Sequence, residues 1–189
     1  MPVAVALQNV CTTFSGRLVV DGIECAEIGI VLTHLGQWEE GLALLDSVIA
    51  QLDPQRHFCE FDACVIAMKR KLTALSLLPE VATYGDIVVK EQRYADIIAL
   101  SQRLIDKLDD YEQHPEDYAD GSSRQPAADE VSGYCDFYRS QAYAFLAQAY
   151  AASGQREDAR RYEGLFSKSD FGQTLNGRNA SARNASVSS

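Results

Sequence analysis

Residues 28–41 read Ile28-Gly29-Ile30-Val31-Leu32-Thr33-His34-Leu35-Gly36-Gln37-Trp38-Glu39-Glu40-Gly41, two helix signals set around one glycine. Upstream, Asp21 is a good N-cap. Ile23, Ile28, Ile30, Val31, Leu32 and Leu35 then crowd a helix that Gly36 stops. Downstream, Trp38, Leu42, Leu45, Ile49 and Leu52 recur at steps of three and four residues, while Glu39, Glu40 and Asp46 hold the opposite face until Pro54. A stop this short between two helices leaves room only for an antiparallel hairpin.

The same pattern returns near the C-terminus. A helix expected over residues 134–153 is rich in aromatics (Tyr134, Phe137, Tyr138, Tyr143, Phe145, Tyr150). Gly154 stops it before a further helix from about Arg156 to Phe166. Between the hairpins, Phe58, Phe61, Val65, Met68, Leu72 and Leu75 form a coiled-coil-like seam with Lys69, Arg70 and Lys71 largely outside it. Pro79 suits the first turn of a fourth helix carrying Val81, Tyr84, Ile87 and Val88. A break near Glu91 to Arg93 precedes a fifth helix, from about Tyr94 to Tyr111, that presents Ile97, Ile98, Leu104, Ile105 and Leu108. Residues 112–133 then hold Pro115, Gly121, Ser122, Ser123 and Pro126, and their acidic side chains are opposed by Arg124 alone. They are expected to form a partly mobile acidic loop. The expected layout is a weakly ordered segment over 1–20, a helical domain over 21–170, and a disordered tail over 171–189, where only Leu175 and Val187 could bury much surface.

Composition narrows the function. A make-up 47% hydrophobic and 23% charged is that of a globular protein and excludes wholesale disorder. With 17 Lys and Arg against 27 Asp and Glu, the formal charge of −10 would repel a phosphate backbone, so no direct nucleic-acid binding is expected. No apolar run approaches the roughly 20 residues that a membrane helix needs. The N-terminus lacks the basic region of an export signal. The five cysteines are odd in number, include no Cys-x-x-Cys pair and mostly sit in helical patterns, as reduced thiols do. The expectation is a cytoplasmic protein without membrane insertion.

Laid over residues 28–41, the run Leu146-Ala147-x-Ala149-Tyr150-x-x-x-Gly154-x-x-Glu157-Asp158-Ala159 shares one template, and that template resembles the tetratricopeptide repeat. The resemblance implies a small residue (Gly29, Ala147) where paired helices approach most closely, a glycine (Gly36, Gly154) at the turn, and a small residue (Gly41, Ala159) early in the second helix. A weaker match sets Gly85 at the close approach, Gln92 in place of the turn glycine, Tyr94 after it, and Ile97 where a small residue belongs. The runs at 137–147 and 169–174 look like the repeat region of certain bacterial regulators whose array precedes a helix-turn-helix output domain. The fold so implied is all-α, a right-handed solenoid (α-α superhelix) of about seven helices.

The resemblance also implies a function, binding of a peptide or partner protein on a concave surface lined by first helices. It points to Thr33 and His34 in the first unit, Asp86 and Lys90 in the middle one, and Gln141 and Gln148 in the last. It leaves room for self-association. The alternative it carries is the sensory half of a bacterial transcriptional regulator. The Lys and Asn clamp that relatives use for chaperone C-termini is missing. No glycine-rich phosphate loop, His-Glu-x-x-His or Gly-x-Ser-x-Gly motif occurs, so neither catalysis nor a cofactor is expected. His57, Glu60 and Cys64 share one helical stripe, but structural zinc wants four ligands, and no metal is expected. Tyr138, Tyr143, Phe145 and Tyr150 fit inter-helix core better than a stacking surface.

Overall fold

The computed structural model describes residues 18–78, 87–119 and 127–174. All of the regular structure in them is helical: α1 (Leu18–His34), α2 (Trp38–Leu52), α3 (Phe58–Leu77), α4 (Ile87–Gln113), a 3-10 turn (Pro115–Tyr118), α5 (Ala128–Ala152) and α6 (Arg156–Lys168). A further helical turn covers residues 170–174. Among the described residues there is no strand, and no helix is long and apolar enough to cross a membrane. The chain divides into two compact units, the first holding α1, α2, α3 and the 3-10 turn, the second α4 up to Glu112 with α5 and α6.

The two hairpin turns, one in each unit, are built alike. Gly36 and Gly154 both have φ +81°, a left-handed conformation that costs a side-chain-bearing residue about 1–2 kcal/mol. In the first turn the Gly36 N–H donates to the Thr33 carbonyl (3.1 Å) and the Gln37 N–H to the Leu32 carbonyl (2.9 Å). In the second, Gly154 donates to Ala151 (3.1 Å) and Gln155 to Tyr150 (2.8 Å). This doubled closure satisfies carbonyls that a helix end otherwise leaves orphaned. Gln37 and Gln155 then cap the next helix, each accepting from a residue four further on, Gly41 (3.0 Å) and Ala159 (3.1 Å).

In the first unit α1, α2 and α3 pack against one another. The α1–α2 crossing turns on two glycines. A Cβ on Gly29 would lie 2.7 Å from Leu45 Cγ, and one on Gly41 would lie 2.6 Å from the Gly29 carbonyl oxygen and 2.7 Å from Thr33 Cγ2. Around that contact Ala26, Leu45, Leu52, Phe61, Cys64, Val65, Met68 and Leu72 are buried, so the seam expected for α3 is the centre of this unit's core. At its rim Arg70 of α3 pairs with Glu27 of α1 (Nε to Oε1, 2.8 Å), and Lys71 pairs with Asp46 of α2. Tyr118 of the 3-10 turn is buried edge-on against Phe61, ring centroids 5.0 Å apart, and Arg56 lies over its ring while pairing with Asp117 at 3.4 Å.

Several boundaries differ from the sequence reading, each for a local reason. Helix α1 already runs from Leu18, so Asp21 lies in its body and not at its cap. The expected break at Glu91 to Arg93 does not exist, because α4 is continuous from Ile87 to Gln113. No glycine or proline occurs there to stop it, and Gln92 instead donates to Asp96 one turn on (2.8 Å). The middle hairpin therefore has no turn at Gln92. Residues 79–86, with the expected start of a fourth helix, lie outside the described residues.

The acidic stretch is shorter than expected. Residues 115–118 form the 3-10 turn, and 128–133 belong to α5, whose first turn is closed by the Ala127 N–H donating to Glu130 Oε2 (3.1 Å). Asp129 and Glu130 thus sit where a helix N-terminus favours negative charge. At the other end, residues 170–174 are helical where a disordered tail was expected from 171: Phe171 meets Phe137 edge-on at 5.4 Å and Gly172 is buried. Among the described cysteines, Cys59, Cys64 and Cys135 are in no disulfide, while Cys25 is disulfide-bonded, against the expectation of reduced thiols.

Candidate interaction surface

Of the six residues the resemblance nominates, one is removed by burial. Thr33 is completely inaccessible. Its Oγ1 donates to the Ile30 carbonyl (2.6 Å) and its methyl faces Gly41, so it is a core residue of the α1–α2 crossing and cannot touch a partner. A β-branched residue whose hydroxyl is satisfied by its own helix packs as an apolar side chain would. His34, one residue on, is exposed in the last turn of α1. Asp86 lies outside the described residues, and Lys90 sits in the unbroken α4 rather than before a turn.

In the second unit Gln141 and Gln148 share a face of α5, two turns apart. Gln141 is half-buried, with Nε2 donating to the Phe137 carbonyl (3.3 Å), and Gln148 is exposed. Phe145, half-buried, falls between them at helical spacing. The fold thus brings Gln141 and Gln148 together on one helix, and Thr33 and His34 on another.

The aromatics of α5 divide by face. Tyr143 and Tyr150 both meet Tyr162 of α6, at 6.0 Å and, nearly parallel, at 5.6 Å. Burial raises the pKa of both, helped in part by the neighbouring Tyr162. Tyr134 and Tyr138 contact each other, and Tyr134 reaches Tyr111 of α4. Tyr143 and Tyr150 thus pack helix against helix, as expected from their spacing, whereas Tyr138 meets Tyr134 and Phe137 of its own helix.

One ion-pair cluster in this unit was not read from the sequence. Arg139 of α5, its side chain 12% exposed, donates to Asp109 (2.7 Å) and Glu112 (2.6 Å) of α4 and to Asp136 (3.0 Å) one turn before it. Burial works against its charge, but the bonds to Glu112 and Asp109 outweigh that and hold its pKa above the ordinary value. Beside it Cys135 Sγ donates to the Leu108 carbonyl (3.5 Å), and burial, reinforced by Glu112, pushes its pKa up to about 12. An arginine with three carboxylates and a protonated thiol is a clamp between α4 and α5, with no nucleophile poised for chemistry.

His57, Glu60 and Cys64 do not converge. His57 is exposed at the start of α3, whereas Cys64 is buried and its thiol points to Asp53 Oδ1 (3.9 Å). Among the described residues no three His, Cys, Asp or Glu side chains are grouped to hold a metal ion. The sequence reading sets Val31 and Leu35 among the apolar residues of the first helix, yet Val31 of α1 and Leu35, the residue just after it, are exposed. No protein-family model, curated protein or solved structure matches the chain.

Proposed function

We propose that this chain is a protein-interaction module of the tetratricopeptide kind, a right-handed stack of helical hairpins that takes a peptide or a helix of a partner protein. The observation that carries the reading is the repeated turn. Leu32 to Gly41 and Tyr150 to Ala159 close with the same hydrogen bonds, the same left-handed glycine and a buried small residue at the same place in the following helix. Repeating one hairpin in two parts of a chain is how helical arrays build extended binding surfaces. Exposed His34, Gln148 and the half-buried Gln141 are the contacts this reading assigns.

The test is capture from a native lysate by the immobilised full-length chain, repeated with a His34→Ala/Gln141→Ala/Gln148→Ala variant whose thermal melt matches the parent. A protein held by the parent and released by the variant supports the reading. Equal retention by both, or none by either, counts against it.

A further inference from the structure

Among the described cysteines Cys25 alone is held in a disulfide, and its place in α1 gives that bond a task. It is 4% exposed, beside the fully buried Ala26 and about one turn before Gly29, where α1 meets α2. Cys59, Cys64 and Cys135 are in no disulfide. The sequence holds five cysteines, so Cys11 is the one other sulfur within the chain that can close the bond. Cys11 lies upstream of Leu18, where α1 begins, and outside the described residues.

The bond falls where local sequence holds α1 least. The helix opens Leu18-Val19-Val20-Asp21-Gly22, and two β-branched residues and a glycine all lower helix propensity. Directly before it stands Arg17, in place of a Ser, Thr, Asp or Asn cap. Beyond Cys25 the helix is fixed by the core, through Ala26, Ile30, Leu32 and Thr33. A link between Cys11 and Cys25 closes a loop of about 15 residues around the weak start and restricts the freedom that start would otherwise regain. Reduced, Cys25 is still a small apolar side chain suited to its buried place, so the core does not need the bond.

We infer that Cys25 is joined to Cys11 and that the bond is a redox-dependent latch on α1. Closed, it restrains the start of the helix; opened by thiols, it frees that start and leaves the hairpin folded. In opening, one thiolate of a dithiol attacks a sulfur of the link and expels the other as a thiolate. The second thiol of the reagent then resolves the mixed disulfide, leaving two cysteine thiols and a cyclic disulfide. In closing, glutathione disulfide takes up the two electrons and leaves as two glutathione thiols. The inference goes beyond the interaction reading and does not rest on it.

The full-length chain is oxidised with glutathione disulfide, alkylated in denaturant and digested without reductant for mass spectrometry. The expected map has one peptide joining Cys11 to Cys25, with alkyl groups on Cys59, Cys64 and Cys135. Dithiothreitol should open the link in the native chain without denaturant, because a weakly held helix start opens locally. The unfolding equilibrium constant of the first unit, read from Trp38 fluorescence in urea, should then rise by about tenfold to a hundredfold, the full loop effect being the upper limit. Circular dichroism should stay helical. Cys11→Ser should show the weakened value with or without dithiothreitol, and Cys59→Ser should respond as the parent does. The reduced parent makes the same measurement without a substitution, so the test survives a Cys11→Ser chain that fails to fold. The latch is overturned if Cys25 is alkylated after oxidation, or if it is joined to another cysteine or to a second copy. It is equally overturned if oxidised and reduced chains give the same urea curve, if reduction abolishes the helical spectrum, or if the link opens only in denaturant, which would make it a fixed staple.

Discussion

Replacing Gly41 by alanine should destabilise the first unit although it improves helix propensity. The new Cβ would stand 2.6 Å from the Gly29 carbonyl oxygen and 2.7 Å from Thr33 Cγ2. Neither obstacle can swing aside: one is backbone, and the other is a fully buried β-branched side chain. Overpacking of this kind costs about 1–3 kcal/mol, and two contacts this short put it at the upper end. The alanine recovers about 1 kcal/mol of helix propensity, leaving a net loss of roughly 2 kcal/mol. At about 4–8 °C per kcal/mol for a unit of this size, the melting temperature should drop by roughly 8–16 °C. Gly133, exposed in α5 with nothing within 4 Å of its missing Cβ, is the control. Its alanine variant should gain about 0.5–1 kcal/mol. Urea titration followed by fluorescence reports the first unit directly, because Trp38, the single tryptophan, opens α2. Circular dichroism follows the whole chain. A Gly41→Ala variant more stable than the parent would refute the reasoning, since the two helices could not then cross in contact at these glycines.

Other perturbations probe the rest. Gly36→Ala and Gly154→Ala each force alanine to φ +81° and should cost about 1–2 kcal/mol in urea titrations, whereas a change under a few tenths would mean the turns relax freely. Arg139→Met leaves Asp109, Glu112 and Asp136 without their shared cation and should lower stability by about 2 kcal/mol, with partial recovery in high salt as the carboxylates are screened; an unchanged urea midpoint would show the clamp to be incidental. Cys59, exposed, should react with a thiol reagent near pH 8 in the native chain while Cys135 waits for unfolding, and prompt labelling of Cys135 would contradict its burial. Cys135 also sets a pH dependence. Its folded pKa of about 12 lies above the ordinary 9.0, so the stability it contributes is complete below pH 9 and is lost as pH rises from 9 through 12, a loss that Cys135→Ala should reduce.

How much was legible depended on the kind of signal. Gly36 and Gly154 announced both hairpins because a helix broken by one glycine, with apolar periodicity resuming at once, has few other solutions. The α3 seam was equally plain, its apolar steps alternating between three and four. The break expected near Glu91 to Arg93 failed for the complementary reason: neither glycine nor proline is present there to make a turn, and α4 runs through. Thr33 was misplaced because the resemblance carried a groove position onto it, whereas here its hydroxyl is satisfied within its own helix and its methyl meets Gly41. Arg139 gave no warning, since Asp109 and Glu112 lie some thirty residues away in sequence, on a helix that folding brings alongside.

Local sequence therefore determined where the two glycine-turned hairpins double back, because backbone geometry at glycine and periodicity along a helix are near-neighbour properties. Which apolar faces are covered is a matter of which helices pack together. Val31 and Leu35 are as apolar as Ile30 and Leu32, and only the packing of α2 and α3 on one side of α1 buries the latter pair and leaves the former in water. Hydrophobicity supplies the tendency to be buried, but the supply of neighbours is a property of the assembled helices and cannot be read from one of them alone.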